Sequence, residues 1–241
     1  GYFAMVSNTT GTQQVAVGSL ALDANTTGNY NTALGMNALT ANTTADSNTA
    51  VGRDTLKANT TGSVNTGVGQ NALLANTTAL NNTAIGYGSL ATTTTGGQNT
   101  AVGVSTLKDA TGATNTAVGY QAGEALTTGT NCSFFGTEAG ITGSPGGAIT
   151  TGSNEIVLGD ENVSKANIQV DWTIASDKRD KTDVEPMDLG LEFINQLEPV
   201  TYRWDKRSKY SDDQSSIPDG THKEEQLEGG FLAQDVEVIE N

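Results

Sequence analysis

Apolar residues over roughly the first two thirds of the chain arrive in small clusters. Ala with Val or another aliphatic stands just before a glycine, and a small residue with Leu stands just after it, with Asn, Thr and Gly filling the intervals. Aligned on the glycine of the NTAVG-like pentamers, the unit recurs at Gly18, Gly35, Gly52, Gly69, Gly86 and Gly103, five successive steps of seventeen residues. Gly119 and Gly136 follow at steps of sixteen and seventeen, and the segment NEIVLG ends at Gly159 after a longer step. Four residues before the glycine stands Asn31, Asn48, Asn65, Asn82, Asn99 or Asn115, with Gln14 in the first unit. Four residues after it stands Leu22, Leu39, Leu56, Leu73, Leu90 or Leu107, replaced by Gly123 and Gly140 in the last two full units. Several positions holding one phase identify an internal repeat, the signature of stacked architectures.

A unit of seventeen residues holds two short strands and two turns, about one coil of a solenoid. Thr-Ala-Val-Gly predicts one strand, and the small residue with Leu predicts a second. ANTTG and ATTTTGG supply turns, because Gly takes positive φ and Asn and Thr bond to nearby backbone. Parallel stacking at about 4.8 Å per coil makes roughly eight coils about 38 Å long. The fold class expected is therefore mainly β, a parallel β-solenoid followed by a small α+β domain. Each coil offers few apolar side chains. At roughly 25 cal/mol per Å² they barely offset the entropy of ordering the coil. The expectation is that several chains pack around one axis, with the Leu row as the face they share.

The Asn, small residue, aliphatic and Gly of each unit resemble the left-handed parallel β-roll of trimeric autotransporter adhesin heads, and NTAVG and AL repeats are similar to shaft segments of phage tail fibres. The resemblance covers about Gln14 to Gly159 and implies three chains. Asn-x-Thr recurs in nearly every coil, so sequons such as Asn25-Thr26-Thr27 follow from the repeat and are read as turn chemistry before glycan attachment. The Thr rows are read as turn and strand surface, with templating of ordered water as a minor alternative. The Gly-Gly-x-Gly-x-Asp repeat of calcium-binding rolls is not found. Cys132 beside Phe134 and Phe135 reads as a small buried thiol.

After Gly159 the repeats end and charged residues become dense. Leu191, Ile194 and Leu197 in DLGLEFINQL (Asp188 to Leu197) form one stripe and predict an amphipathic helix ended by Pro199. Val200 to Trp204 predicts a strand, Asp205 to Glu228 a long exposed loop, and Gly230 to Ile239 a strand entering a helix.

Ser176, Asp177, Arg179 and Lys181 in the pattern Ser-Asp-x-Arg-x-Lys, then the Leu-rich helix, then VTYRW, then GFLAQDV, resemble the endosialidase-type intramolecular chaperones. These are self-cleaving serine peptidase domains at the C-termini of phage tail spikes and fibres. The resemblance implies a chaperone that assembles the trimer and is released by cleavage between Ala175 and Ser176, with Ser176 as nucleophile, Lys181 as base, and Asp177 and Arg179 in support. Family members often carry a His shortly before the Gly of the last motif, where this chain has Glu228. His222 lies farther off and reads as a loop residue. The family usually continues past GFLAQDV, so a truncated domain is expected. The resulting organisation is a repetitive shaft over 1–159, a connector over 160–175, and the chaperone domain over 176–241.

The chemistry needs both groups. A serine hydroxyl is a weak nucleophile until a base takes its proton, and Lys serves only when desolvation or a nearby cation, here Arg179, lowers its pKa. A separation of five turns two side chains roughly 140° apart on a helix and to opposite faces on a strand. A turn over Asp177 to Asp180, or a neighbouring chain, must therefore complete the pair.

Composition narrows the rest. Twenty-seven acidic residues against 12 basic give a net charge of −15, which excludes a basic nucleic-acid surface. One Cys and one His make a Cys-based zinc site or multi-His metal chemistry implausible, so no metal and no cofactor are expected. No run of apolar residues reaches the length of a spanning helix, so membrane insertion is not expected. Asp171, Asp177, Asp180 and Asp183 read as solvated surface charges rather than a glycosidase pair. The reading is a structural and host-attachment protein of a phage tail fibre or tail spike in the virion tail. Its expected partners are itself as a homotrimer, other tail proteins, and a host receptor that is a glycan or surface protein. Peptidase activity would be spent once on its own chain. A bacterial trimeric surface adhesin head and an ice-binding solenoid are the alternatives.

Overall fold

The computed structural model describes residues 1–166, 196–203, 205, 219–223 and 225–230. The chain divides into two compact units, Gly1–Gln169 and Val170–Asn241.

The first unit is the solenoid. Nine three-residue strands, β1 (Val15–Val17), β2 (Thr32–Leu34), β3 (Thr49–Val51), β4 (Thr66–Val68), β5 (Thr83–Ile85), β6 (Thr100–Val102), β7 (Thr116–Val118), β8 (Ser133–Phe135) and β9 (Ile156–Leu158), pair in parallel in sequence order as one sheet. The register keeps repeat positions in line: Ala33 pairs with Ala50, and Val51 with Val68. In each strand the middle residue points inward, and those from Ala33 to Phe134 are buried. The repeat glycine that follows is needed twice over. Gly52 has φ of +133°, and a Cβ there would lie 2.7 Å from the backbone carbon of Gly69 in the next coil.

Two sequence expectations fail here. The second strand expected in each coil is a run of turns, because the Leu adopts left-handed backbone, with φ between 48° and 53° from Leu22 to Leu107 at the repeat position. Such a conformation costs a side-chain-bearing residue about 1–2 kcal/mol. Coil stacking holds it in place: the N–H of Leu39 donates to the Thr55 carbonyl above at 3.1 Å, while that of Asn37 donates to the Ser19 carbonyl below at 2.9 Å. The turns thus bond to both neighbouring coils without being β.

The Leu row is also not a face left over for other chains. Leu22, Leu39, Leu56, Leu73, Leu90 and Leu107 are all fully buried inside one chain. The apolar arithmetic left out two stacks of buried Asn. In the first stack, at the position four before the glycine, the Oδ1 of Asn48 accepts from the Asn65 backbone N–H at 2.9 Å, and its Nδ2 donates to the Gly62 carbonyl at 2.9 Å. In the second, the Nδ2 of Asn42 donates to Asn25 Oδ1 at 2.8 Å and that of Asn59 to Asn42 Oδ1 at 2.9 Å. Asn25, the residue of the sequon, is fully buried in this stack. A row of Thr hydroxyls adds a third stitch, with Thr43 and Thr60 donating to the Thr60 and Thr77 carbonyls at 3.1 Å.

One core exchange explains an irregularity of the repeat. Phe134 occupies the inward strand position held by Ala in most coils and is fully buried. The Leu position becomes Gly123 and Gly140 in the two units around it. A Cβ on Gly123 would stand 2.8 Å from Phe134 Cδ2, and one on Gly140 would also strike the ring. The bulk that leaves one interior position reappears at another.

In the second unit, β10 (Val200–Tyr202) and β11 (Glu228–Gly230) pair antiparallel, with Thr201 opposite Gly229. The first is the strand expected at VTYRW. The second begins before the expected Gly230. The helix expected over Asp188 to Leu197 lies almost wholly outside the described residues, as does the segment 231–239.

Candidate functional site

The candidate site is the part of the second unit that carries the Ser-Asp-x-Arg-x-Lys pattern and the VTYRW and GFLAQDV motifs. Its described part is the pair β10 and β11 with the residues next to them. Asp205 follows β10 by three residues, and its carboxylate accepts the backbone N–H of Gly220 at 2.8 Å. Gly220 has φ of +91°, a conformation that suits glycine, and Asp219 Oδ1 caps the same turn by accepting the Thr221 N–H at 2.9 Å. Arg203 Nε donates to the Glu225 carbonyl at 3.0 Å. The two strands and these bonds hold Arg203 and Asp205 beside the described residues 219–225. His222 sits exposed on the turn, as its loop assignment expects.

Ala175, Ser176, Asp177, Arg179 and Lys181 all lie outside the described residues, as do Asp171, Asp180 and Asp183. Glu228 is within β11.

Among the described residues no group of three or more His, Cys, Asp or Glu side chains gathers into a metal-binding cluster, and no helix is long and apolar enough to cross a membrane. Cys132 is buried, and its place in the repeat explains why. It stands where other coils have the Asn of the first stack: its N–H donates to Asn115 Oδ1 at 2.9 Å, and its Sγ lies 3.3 Å from the Gly152 carbonyl, as an Asn Nδ2 would. Two sets of charged groups in the solenoid form ion pairs. Asp54 is held below the usual carboxylate range by the Asn37 amide donating to it at 2.8 Å, against the opposing pull of burial, with Lys57 at 3.0 Å and Arg53 at 3.3 Å assisting. Hydrogen bonding to Glu124 at 3.2 Å raises the Lys108 ammonium.

The fold and this region together define a repetitive parallel β-solenoid joined to a compact C-terminal unit. Residues 176–240 of that unit match a peptidase family described as the chaperone of endosialidase. No curated protein and no solved structure matches the chain significantly.

Sequence reasoning missed the second Asn stack. Its signal was present, since Asn25, Asn42, Asn59 and Asn76 recur at seventeen, but a sequon and a turn give the same letters.

Proposed function

We propose that the chain is a shaft segment of a phage tail fibre or tail spike, with residues 176–240 as an intramolecular chaperone that brings three copies together and then cuts itself off. The assembled shaft serves in host attachment at the virion tail. The observation that carries this reading is a chaperone family match that begins at Ser176, C-terminal to a parallel β-solenoid.

In the cleavage step the Ser176 hydroxyl attacks the Ala175 carbonyl carbon while Lys181, entering as the neutral amine, takes the hydroxyl proton. The proton passes to the departing amide nitrogen, the Ala175–Ser176 peptide bond breaks, and an ester forms in its place. Water then hydrolyses the ester and leaves a carboxylate at Ala175 and an amine at Ser176. The neutral Lys this requires must be desolvated or placed beside a cation.

Mass spectrometry of the expressed parent chain tests the reading. A fragment ending at Ala175 is expected, and it disappears in Ser176→Ala and in Lys181→Ala. Persistence of the fragment in either variant removes that residue from the mechanism. An intact parent chain in folded, assembled material contradicts self-cleavage.

A further inference from the structure

The outermost residue of each strand forms a second row, unlike the Leu row. From Val17 through Leu34, Ile85 and Phe135 to the last strand it holds an aliphatic or aromatic side chain in all nine coils, brought into line by the parallel register. Leu34 is 45% exposed, Ile85 40% and Phe135 42%. Two residues further along the row is mixed: Met36, Tyr87 and Tyr120 are exposed there, and so is Arg53. The companion row at the other outward strand position is Val, Thr, Ser or Ile throughout. Neither row holds a charged residue in a chain of net charge −15. A continuous apolar row beside an uncharged row of mostly Thr marks a contact surface.

Its period identifies what covers it. Apolar rows repeat at about 4.8 Å along the stack, and a second copy lying parallel presents rows at that same spacing, so every row meets a row. Its size identifies what it lacks. About 38 Å of stack by roughly 10 Å of face is some 400 Å², about half of what one partner gives a stable interface. A copy displaced by one coil still matches all but one of the nine rows. The face therefore favours side-by-side association without fixing where it starts.

We propose that copies of this chain pack along the outward face of the nine-stranded sheet, coil level with coil, and that the C-terminal unit sets their register. This rests on the homo-oligomer of the proposed function and names its contact surface.

The full chain tests it, by light scattering of the eluted species and by far-ultraviolet circular dichroism. The unsubstituted chain is expected to run as a homo-oligomer. Ile85→Glu with Val68→Glu is expected to weaken association at least tenfold with the spectrum unchanged, while Thr61→Glu, at an exposed turn position, leaves the mass unaltered. Oligomers that survive the double substitution, or that Thr61→Glu disrupts equally, overturn the face but not the oligomer; a monomeric unsubstituted chain overturns both. Register is read by oxidation of co-expressed Val68→Cys and Val102→Cys chains. Disulfides between like positions are expected, because two coils of offset, about 9.6 Å, exceed the reach of a disulfide at about 7 Å. Mixed 68–102 disulfides in equal yield overturn the register.

Discussion

Asn65 receives and gives hydrogen bonds in three coils at once. Its backbone N–H donates to Asn48 Oδ1, its Oδ1 accepts from the Asn82 N–H at 3.0 Å, and its Nδ2 donates to the Ala79 carbonyl at 2.8 Å. Asn65→Ala leaves a buried amide without an acceptor and is expected to cost about 2–3 kcal/mol in denaturant unfolding. The second stack shows the reverse case. It stops at Asn76, whose buried Oδ1 has no partner, because Thr93 follows and turns its hydroxyl to the Ala110 carbonyl. Thr93→Asn extends the stack and is expected to raise stability by about 1 kcal/mol, with an upward shift in unfolding midpoint as the measure. At the surface, Asp54 is held ionised in the folded chain. Its contribution is complete above the unfolded carboxylate value and is lost as pH falls through the lower folded value. Asp54→Asn keeps an acceptor for Asn37, so melting temperatures below about pH 4 should fall less steeply than those of the parent chain.

At the scale of the element, the coil is one short strand and a series of left-handed turns. Phe134 and its two glycines provide the test of how it is filled. Phe134→Ala is expected to cost about 3–5 kcal/mol, and Gly123→Leu alone to disrupt the coil. The double variant restores the interior of the other coils and should lose less than the sum of the two, as a double-mutant cycle in urea would measure. The seventeen-residue period and the strand at Thr-Ala-Val were legible in the sequence because each repeats in phase. The backbone hand of the Leu was not, since Leu carries no glycine-like signal for positive φ and only stacking against neighbouring coils selects it. The same holds for Asn25, whose burial depends on coils seventeen residues away.

For the whole molecule, the closed interior changes what association must do. Each chain buries its own Leu row, so copies are not needed to complete a core; the expectation of a shared Leu interior came from counting apolar area without the Asn stacks. The outward face proposed for association is narrow and periodic, and the task proposed for the C-terminal unit is to set the register that such a face leaves open. In that unit the order of VTYRW and GFLAQDV was legible in the sequence, and β10 with β11 joins the beginnings of both motifs. The bond from Gly220 to Asp205 was not, because the two partners stand fifteen positions apart in the sequence with no repeat to phase them.

The central claim is that a solenoid complete within one chain depends on residues 176–240 to become an ordered homo-oligomer. Native mass spectrometry of the parent chain, beside a chain synthesised without residues 176–240, tests it most directly. The account predicts one defined oligomer for the parent, and for the shortened chain a β-rich spectrum with monomers or a spread of species. The same single oligomer from both chains would contradict it.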